Sequence, residues 1–302
     1  MDNFTTVQET NPLKRKKGKK VEALDKKIIF SVYFILACIF SVYCLFPLCW
    51  AFYNSLKSVS EYYQSTLALP KKWDFSYYNK IFSMFEVAGV GFWEMAFNSI
   101  WLSFVSQFLN ILASVLVAYP LARYKFIGKE FFYGIIVFRL TIPIIGSGAS
   151  GYKIMQALNM INNPLAYSLQ WFSGFDISAL ILYGYFKNIS KDYSEAAFLD
   201  GAGKWTVLWK VVMPQAWPCI IALYINAVKN VWNDYQTSML YLMDYPNLSY
   251  GIYLFESEVL FVEGGTPMFY GAIILSSIVP LLIFAFGQKS MLANMSVGGL
   301  KG

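Results

Sequence analysis

The polar residues with the most specific spacing lie between residues 190 and 214, and the chemistry they indicate is recognition. Asp192 and Glu195 are three residues apart, as in a capping box, where carboxylates near a helix start satisfy free backbone amides. Gly201 and Gly203 predict a turn between two short helices, because glycine adopts backbone conformations closed to other residues. Two interpretations stay open: a helix lying on the membrane surface, or a segment that docks to another protein.

The apolar residues of the same segment predict one helix face. Phe198, Ala202, Trp205 and Trp209 follow one another at the spacing of helical neighbours. Pro214 then stands where we expect the fifth membrane helix to begin.

Catalytic chemistry finds little support elsewhere in the chain. There is no histidine, which excludes imidazole catalysis and His-ligated metal sites. The cysteines lie in apolar runs without a CxxC pair and are interpreted as packing residues. Gly201-x-Gly203-Lys204 lacks the first glycine and the Ser/Thr of a phosphate-binding loop. We therefore expect no catalytic residue, metal, cofactor or ATPase in this chain.

The composition predicts an all-α polytopic membrane protein. Of the 302 residues, 57% are apolar and only 14% are charged, whereas soluble domains average about 25% charged residues. Only helices and closed barrels satisfy every backbone amide within lipid. Long uncharged runs are typical of membrane-spanning helices.

Long apolar stretches predict six transmembrane helices, at about residues 28–52, 97–120, 131–150, 167–187, 216–242 and 267–287. The third, fourth and fifth contain charged residues, among them Arg139, Asp176 and Lys229. The domains expected from them are a basic tail (1–27), a first helix (28–52), a loop (53–96), a five-helix core (97–287) that contains the segment 190–214, and a C-terminal tail (288–302). Most of the 24 Lys and Arg residues fall on the side of the two tails. The positive-inside rule therefore predicts cytoplasmic termini and an extracytoplasmic loop 53–96.

Within residues 190–214, Glu195-Ala196-Ala197 is followed after three residues by Gly201 and after nine more by Val211-x-Met213-Pro214. This pattern resembles the EAA loop of ABC importer permeases. Further motifs resemble the smaller, six-helix permease subunit of maltose-type importers: Pro47-Leu48-x-Trp50, Leu69-Pro70-x-x-Trp73, Asn98-Ser99, Ala118-Tyr119-x-Leu121-Ala122-Arg123, Trp232-Asn233-Asp234 and Gln288-Lys289. The resemblance covers about residues 28–302 and implies the type I ABC importer permease fold. Mild departures from the pattern stand at Ser190, Ser194, Val211 and Met213.

The resemblance implies that the EAA segment is a coupling helix that docks in a cleft of a cytosolic ATPase. The coupling residues it implies are Glu195, Ala196, Ala197, Phe198, Asp200 and Gly201. Glu195 would meet a basic residue of the ATPase, the two alanines would permit close approach, and Gly201 would supply the bend.

The resemblance also implies partners and a location. They are a second homologous permease subunit in a heterodimer, two cytoplasmic ABC ATPases that hydrolyse ATP, and an extracytoplasmic solute-binding protein, at the bacterial plasma membrane. The outer loop 243–266 would reach into the binding protein. The basic N-terminal run indicates contact with anionic membrane lipid, and no nucleic-acid partner is expected.

Polar residues within the predicted spans give two further hypotheses, because polar groups in a bilayer face a cavity or pair with one another. Asn226, Lys229, Asn230 and Asn233 lie on one stripe of the fifth helix. They either line a substrate pathway or hydrogen-bond between helices. Arg139 and Asp176 lie at matching predicted depths, which predicts an intramembrane ion pair.

By resemblance, the function is ATP-driven import of a carbohydrate, with an oligosaccharide favoured. Alternatives are the same architecture importing a peptide, polyamine or amino acid, and a self-sufficient secondary transporter. The last of these usually shows an internal repeat of spans, which this sequence lacks. A membrane-bound enzyme would need a carboxylate mechanism, and no two intramembrane acids lie close in sequence.

Overall fold

The computed structural model describes residues 12–142, 148–258, 261 and 264–297. The chain divides into two units, Met1–Tyr53 and Asn54–Gly302. Its elements are α1 (Pro12–Asn54), α2 (Val59–Gln64), α3 (Ser76–Met84), β1 (Glu86–Val87), β2 (Val90–Gly91), α4 (Phe92–Arg123), α5 (Lys129–Thr141), α6 (Gly148–Ala157), α7 (Pro164–Leu169), α8 (Ile177–Asn188), α9 (Asp192–Leu199), α10 (Lys204–Thr206), a π-helical segment (Val207–Val212), α11 (Met213–Trp232), α12 (Gln236–Leu240), α13 (Leu248–Glu258) and α14 (Gly265–Val297).

Helix α1 makes up most of the first unit and is apolar from Ile28 onward. The run between Lys27 and Lys57 contains no charged residue. Its side chains from Ile28 to Phe46 are exposed. A surface of this kind requires lipid or protein around it.

Helix α4 lies at the centre of the second unit. It packs against α8 and α11, while α11 packs against α14, and α14 against α3. Buried serines follow one face of α4, among them Ser99, Ser103, Ser106 and Ser114. Small side chains of this kind let neighbouring helices approach closely.

Four helices in the described part of the chain are long and apolar enough to cross a membrane: Lys26–Asn54, Phe92–Arg123, Lys204–Trp232 and Gly265–Lys289. Three of them contain the predicted spans 28–52, 97–120 and 267–287. The helical membrane class is thus confirmed.

The predicted third and fourth spans are not found as continuous helices. Within 131–150, α5 ends at Thr141, since Pro143 disfavours helix for the residue before it, and Ile142 is extended. Within 167–187, α7 ends at Leu169 and α8 begins only at Ile177. Helices of 13 and 12 residues extend roughly 18–20 Å, less than the roughly 30 Å of bilayer hydrocarbon.

The fifth predicted span, 216–242, is shifted toward the N-terminus. The helix begins at Lys204, continues through the π-helical segment and ends at Trp232. Pro214 is therefore not at a membrane-helix start. It is accommodated within the continuous helix, directly after the π-helical turn.

The predicted loop 53–96 is largely folded. It contains α2, α3 and an antiparallel β1–β2 hairpin, in which Glu86 pairs with Gly91 and Val87 with Val90. Lys57 is only 1% exposed, and its ammonium donates hydrogen bonds to Asn54 Oδ1 at 2.8 Å and to the Ser65 carbonyl at 2.9 Å. Burial lowers the pKa of Lys57 below its usual range.

Candidate functional site

Ser190, which the sequence pattern did not indicate, makes a side-chain bond just before the start of α9. Ser190 Oγ accepts a hydrogen bond from the Asp192 amide at 3.2 Å. The amides of Ser194 and Glu195 both bond to the Lys191 carbonyl at 2.9 Å. The expected capping box is therefore wrong: Asp192 is the first helical residue, and the helix N-cap is Lys191. Glu195 is left free of a capping role.

The end of α9 forms a Schellman motif around Gly201. The Ala202 amide bonds to the Ala197 carbonyl at 2.9 Å, and the Gly201 amide bonds to the Phe198 carbonyl at 3.0 Å. Gly201 has φ +81°, a left-handed conformation that favours glycine. Gly201 therefore supplies a bend, in the position where the sequence predicted one.

The bend separates inward and outward residues of the segment. Ala197 and Ala202 are half-buried and pack against a core that contains Val115, Leu182 and Val207. Ala197 therefore gives close approach to its own bundle. Its neighbour Ala196 is exposed.

A continuous outward face remains on α9. Glu195, Ala196 and Asp200 are exposed, and Phe198 is 41% exposed. Leu199 is 88% exposed and was missed from the sequence, although its i+4 spacing from Glu195 places it on the same side of the helix. This face, which we call the α9 face, combines two carboxylates with three apolar side chains: Glu195, Asp200, Ala196, Phe198 and Leu199.

The single amphipathic helix predicted from Phe198, Ala202, Trp205 and Trp209 is wrong. The helix is interrupted between Leu199 and Lys204, because the chain bends at Gly201. Phe198 and Trp205 thus belong to different helices, and the α9 face ends at the bend.

The chain holds α9 in place from several sides. Arg123, the last residue of α4, donates from Nη2 to the Ser190 carbonyl at 3.4 Å. Farther on, Tyr185 of α8 donates to the Gln215 carbonyl at 2.9 Å. The segment is therefore attached to α4 and, through α11, to α8.

The polar stripe of α11 lies on the outside of the described molecule. Asn226, Lys229, Asn230 and Asn233 are all exposed, while Val228 and Trp232 on the other side of the helix are buried. Asn233 donates to the Lys229 carbonyl of its own helix at 3.0 Å. Among the residues that the structure describes, the stripe makes no side-chain bond to another helix.

The predicted ion pair between Arg139 and Asp176 is not formed. Arg139 is exposed and donates from Nη1 to the Phe175 carbonyl at 3.0 Å and to Ser173 Oγ at 3.2 Å. Asp176 points into the bundle as the N-cap of α8 and accepts from the Ala179 amide at 3.0 Å. Asn110 Nδ2 at 2.9 Å and Ser114 Oγ at 3.0 Å, both on α4, complete its partners. The carboxylate is satisfied by polar groups closer than the guanidinium.

Beyond the far end of α11 lies a buried polar network that sequence reasoning missed. We call it the polar clasp; its side chains are Asn98, Ser99, Asp234, Thr237, Ser238 and Asn247. Asp234 Oδ1 accepts from the amides of Gln236 at 2.9 Å and Thr237 at 3.2 Å, at the start of α12. The Asp234 carboxylate therefore caps the start of α12.

The polar clasp ties the segment after α11 back to α4. Asn98 Nδ2 donates to the Pro246 carbonyl at 3.0 Å, and Ser99 Oγ accepts from the Leu248 amide at 2.8 Å. Asn247 Nδ2 donates to the Asp234 carbonyl at 2.7 Å. The signal was available in part, since Asn98-Ser99 and Asp234 belong to motifs quoted from the sequence.

The chain is similar to a known family of transport proteins. The profile of the family described as "Binding-protein-dependent transport system inner membrane component" matches residues 23–290. The chain belongs to this family. The predicted transport role is confirmed: the chain is a permease component of a binding-protein-dependent transport system, and the chain's similar proteins are transport permeases rather than enzymes.

Two curated relatives align over most of their length. The sulfoquinovosyl glycerol transport system permease protein SmoH of Agrobacterium fabrum is 28% identical over 273 residues, covering 89% of this chain and 93% of that protein. The diacetylchitobiose uptake system permease protein NgcG of Streptomyces coelicolor is 26% identical over 267 residues, covering 87% and 86%.

A solved structure supports the fold of this family member. It is a crystal structure of a bacterial ABC transporter involved in the import of the acidic polysaccharide alginate, and one of its chains matches with a TM-score of 0.73 at 24% identity. The match covers 88% of this chain and 97% of that chain. The helical permease fold expected from the sequence is thereby confirmed.

Proposed function

We propose that the chain is the smaller permease subunit of an ATP-driven ABC importer and that α9 is its coupling helix. The observation that carries this proposal is the α9 face: a rigid, capped helix that presents Glu195 and Leu199 outward while Ala197 packs inward. An exposed carboxylate beside exposed apolar side chains suits a cleft that has a basic residue and an apolar floor.

In this proposal α9 works as a lever. ATP binding closes two cytoplasmic ATPase subunits, and the docked α9 moves with them. The Schellman bond from Ala202 to Ala197 and the core beneath it keep α9 fixed to the helix that starts at Lys204. Motion of the ATPase therefore reaches the membrane helix without being absorbed in a loose linker.

The polar stripe of α11 supports a pathway between two permease subunits. Exposed Asn226, Lys229 and Asn230 would be costly against lipid tails. A second, homologous subunit facing this stripe would cover it and enclose a hydrated route. We propose a heterodimer on this ground, with six spans per subunit if α5 to α8 complete the crossing together, and with both termini in the cytoplasm by the positive-inside rule.

Carbohydrate is the proposed solute. The relatives are named as permeases of sulfoquinovosyl glycerol and diacetylchitobiose systems, and the matching solved structure is of a transporter involved in alginate import. Binding of glycans by the purified solute receptor tests this choice. Binding of a peptide, polyamine or amino acid in its place would retain the architecture and reject the sugar.

The coupling role is tested by Glu195→Lys in the assembled transporter. We expect the variant to reach the membrane. Its rate of ATP hydrolysis in the presence of substrate and binding protein should be at least tenfold lower than that of the parent, because the lysine places a positive charge against a basic cleft. Glu130→Lys makes the same charge change at an exposed residue of α5, outside α9, and should keep most of the stimulation. Full stimulation in Glu195→Lys would remove Glu195 from this role.

A further inference from the structure

The seam between α4 and the helix Lys204–Trp232 holds an apolar groove that the transport function leaves unassigned. Two cavities of about 280 and 210 Å³ follow one another along the seam. On α4, the first is lined from Phe108 to Val115 and the second from Leu116 to Tyr124. On the facing helix, residues between Trp209 and Tyr224 line the first cavity, and residues between Lys204 and Leu208 line the second. We call the two together the α4–α11 groove.

One end of the α4–α11 groove is cationic and aromatic. Lys204 Nζ lies 5.4 Å from the centre of the Tyr124 ring, and the neighbouring Trp205 is exposed. The two stretches that line the groove, 108–125 and 204–224, contain four Lys or Arg residues (Arg123, Lys125, Lys204 and Lys210) and no Asp or Glu. Of these four, only Lys204 lines the groove, which is therefore apolar along its length and has one positive charge at its mouth.

The α4–α11 groove lies on the opposite side of α11 from the polar stripe. At about 100° per residue, the groove residues Met213, Trp217 and Tyr224 centre roughly 170° away from the stripe residues Asn226, Lys229 and Asn230. If the stripe faces the second permease subunit, the groove faces lipid. This step rests on the proposed function.

We propose that the α4–α11 groove binds an anionic phospholipid, with one acyl chain along the seam and the headgroup beside Lys204. From Phe108 to Tyr124 the groove extends roughly 24 Å along α4, and one leaflet of hydrocarbon is about 15 Å deep. An acyl chain therefore fits its length. Lys204 supplies charge complementarity to the headgroup phosphate, and Trp205 and Tyr124 have the amphipathic character of rings at a membrane interface.

Lys204, at the mouth of the groove, lies shortly after the proposed coupling helix α9. Lys204 is the first residue of the helix that follows the Gly201 bend. A lipid bound there contacts both α4 and the start of that helix. The anionic lipid content of the membrane is thereby linked to the position of the lever.

The test uses the complete transporter, purified through this chain and placed in phosphatidylcholine nanodiscs. Each sample contains a trace of phosphatidylglycerol, or of phosphatidylcholine with the same chains, carrying a diazirine in one acyl chain. Labelled peptides are quantified by mass spectrometry. We expect phosphatidylglycerol to label groove peptides several-fold more than phosphatidylcholine.

Substitutions locate the effect. Lys204→Gln should lower phosphatidylglycerol labelling by about fivefold, the effect of one basic side chain at a membrane surface. Lys210→Gln is the matched control, since Lys210 is exposed on the same helix and does not line the groove, and it should leave labelling unchanged. Leu112→Trp fills the first cavity and should lower labelling of α4 by both probes.

Two results would overturn the lipid site. The first is equal labelling by both lipids that Lys204→Gln does not change, which is the behaviour of bulk lipid. The second is capture of the second permease subunit by a photoreactive residue placed at position 112, which would show that protein covers the groove. Glu195→Lys should leave lipid labelling unchanged, so a failure of the coupling proposal and a failure of the lipid site are observed separately.

Discussion

Replacing Asn247 by alanine should destabilise the whole second unit, although Asn247 is far from the α9 face in sequence. Asn247 is only 1% exposed and makes two side-chain bonds: Nδ2 donates to the Asp234 carbonyl at 2.7 Å, and Oδ1 accepts from the Tyr250 amide at 2.8 Å. Alanine removes both and leaves two backbone groups without partners.

The magnitude follows from the cost of those two orphaned groups. A buried polar group without a partner costs about 1–3 kcal/mol. Asp234 and Tyr250 are themselves only half-buried, so some water reaches them and the lower half of the range applies. We expect a loss of about 3 kcal/mol in unfolding free energy, which corresponds to roughly a 100-fold larger open population.

The assay follows labelling of a single buried thiol. The chain has four cysteines, of which Cys38, Cys44 and Cys49 are exposed and Cys219 is buried. Replacing the three exposed ones by alanine leaves Cys219 as a reporter of opening. Its labelling rate by a thiol-reactive dye, in the purified complex, should then rise by roughly 100-fold in Asn247→Ala if opening is fast and reversible.

The control is Asn233→Ala, at an exposed asparagine whose side chain bonds only within its own helix. Water replaces that bond, so the labelling rate should change by less than about threefold. Equal effects of the two substitutions would show that the polar clasp does not hold the fold, and the reasoning from buried hydrogen bonds would be refuted.

Other substitutions probe the bend, the helix packing and the polar stripe. Gly201→Val should lower stimulated ATP hydrolysis several-fold, since a side chain at φ +81° costs about 1–2 kcal/mol; Gly201→Asn, which tolerates that region, should keep most of it, and equal losses contradict the bend. Gly174→Ala puts a Cβ 2.6 Å from the Ala113 carbonyl oxygen and should lower the free energy of unfolding by about 2–3 kcal/mol. The control Gly203→Ala, whose Cβ would meet no atom within 4 Å, should lower it by less than about 0.5 kcal/mol. A Gly174→Ala protein as stable as its parent would show that α8 can move. Asn226→Leu should lower solute uptake about fivefold without loss of thermal stability, as expected for one lost hydrogen bond; unchanged uptake removes it from the pathway.

The long membrane helices were predictable because their signal is local. Each of α1, α4 and α14 contains an uncharged run long enough to cross lipid, and nothing outside the run is needed to recognise it. The break before α8 depends instead on a tertiary contact. Gly174 sits with φ +67° against the backbone of Ala113, and a sequence window around residue 174 contains no information about residue 113.

The candidate site shows the same division. The EAA spacing predicted the bend at Gly201 and an exposed Glu195, since both depend on residues in or next to α9. It did not give the inward direction of Ala197, because that depends on the core packed beneath the helix. Depth matching failed for Arg139 and Asp176 for a related reason: equal depth does not fix side-chain direction, and α4 supplies Asp176 with partners that no span count reveals.

The helix Lys204–Trp232 joins the coupling segment to the polar clasp. The way its two ends are held explains how a displacement of α9 would be transmitted along it. It has 29 residues and is therefore roughly 43 Å long. Its first end is fixed to α9 by the Ala202–Ala197 bond. At its last residue, Trp232 Nε1 donates to the Ser276 carbonyl of α14 at 3.2 Å, and Ser249 Oγ donates to the Trp232 carbonyl at 2.6 Å.

A helix held in this way cannot absorb a displacement of α9 by fraying at either end. The π-helical turn between Val207 and Val212 is the place where its regular hydrogen bonding is already altered, and such turns occur often at functional positions. A push on α9 must therefore tilt the helix as a body or deform it at that turn. Tilting moves the polar stripe against whatever faces it, which is the motion that alternating access requires.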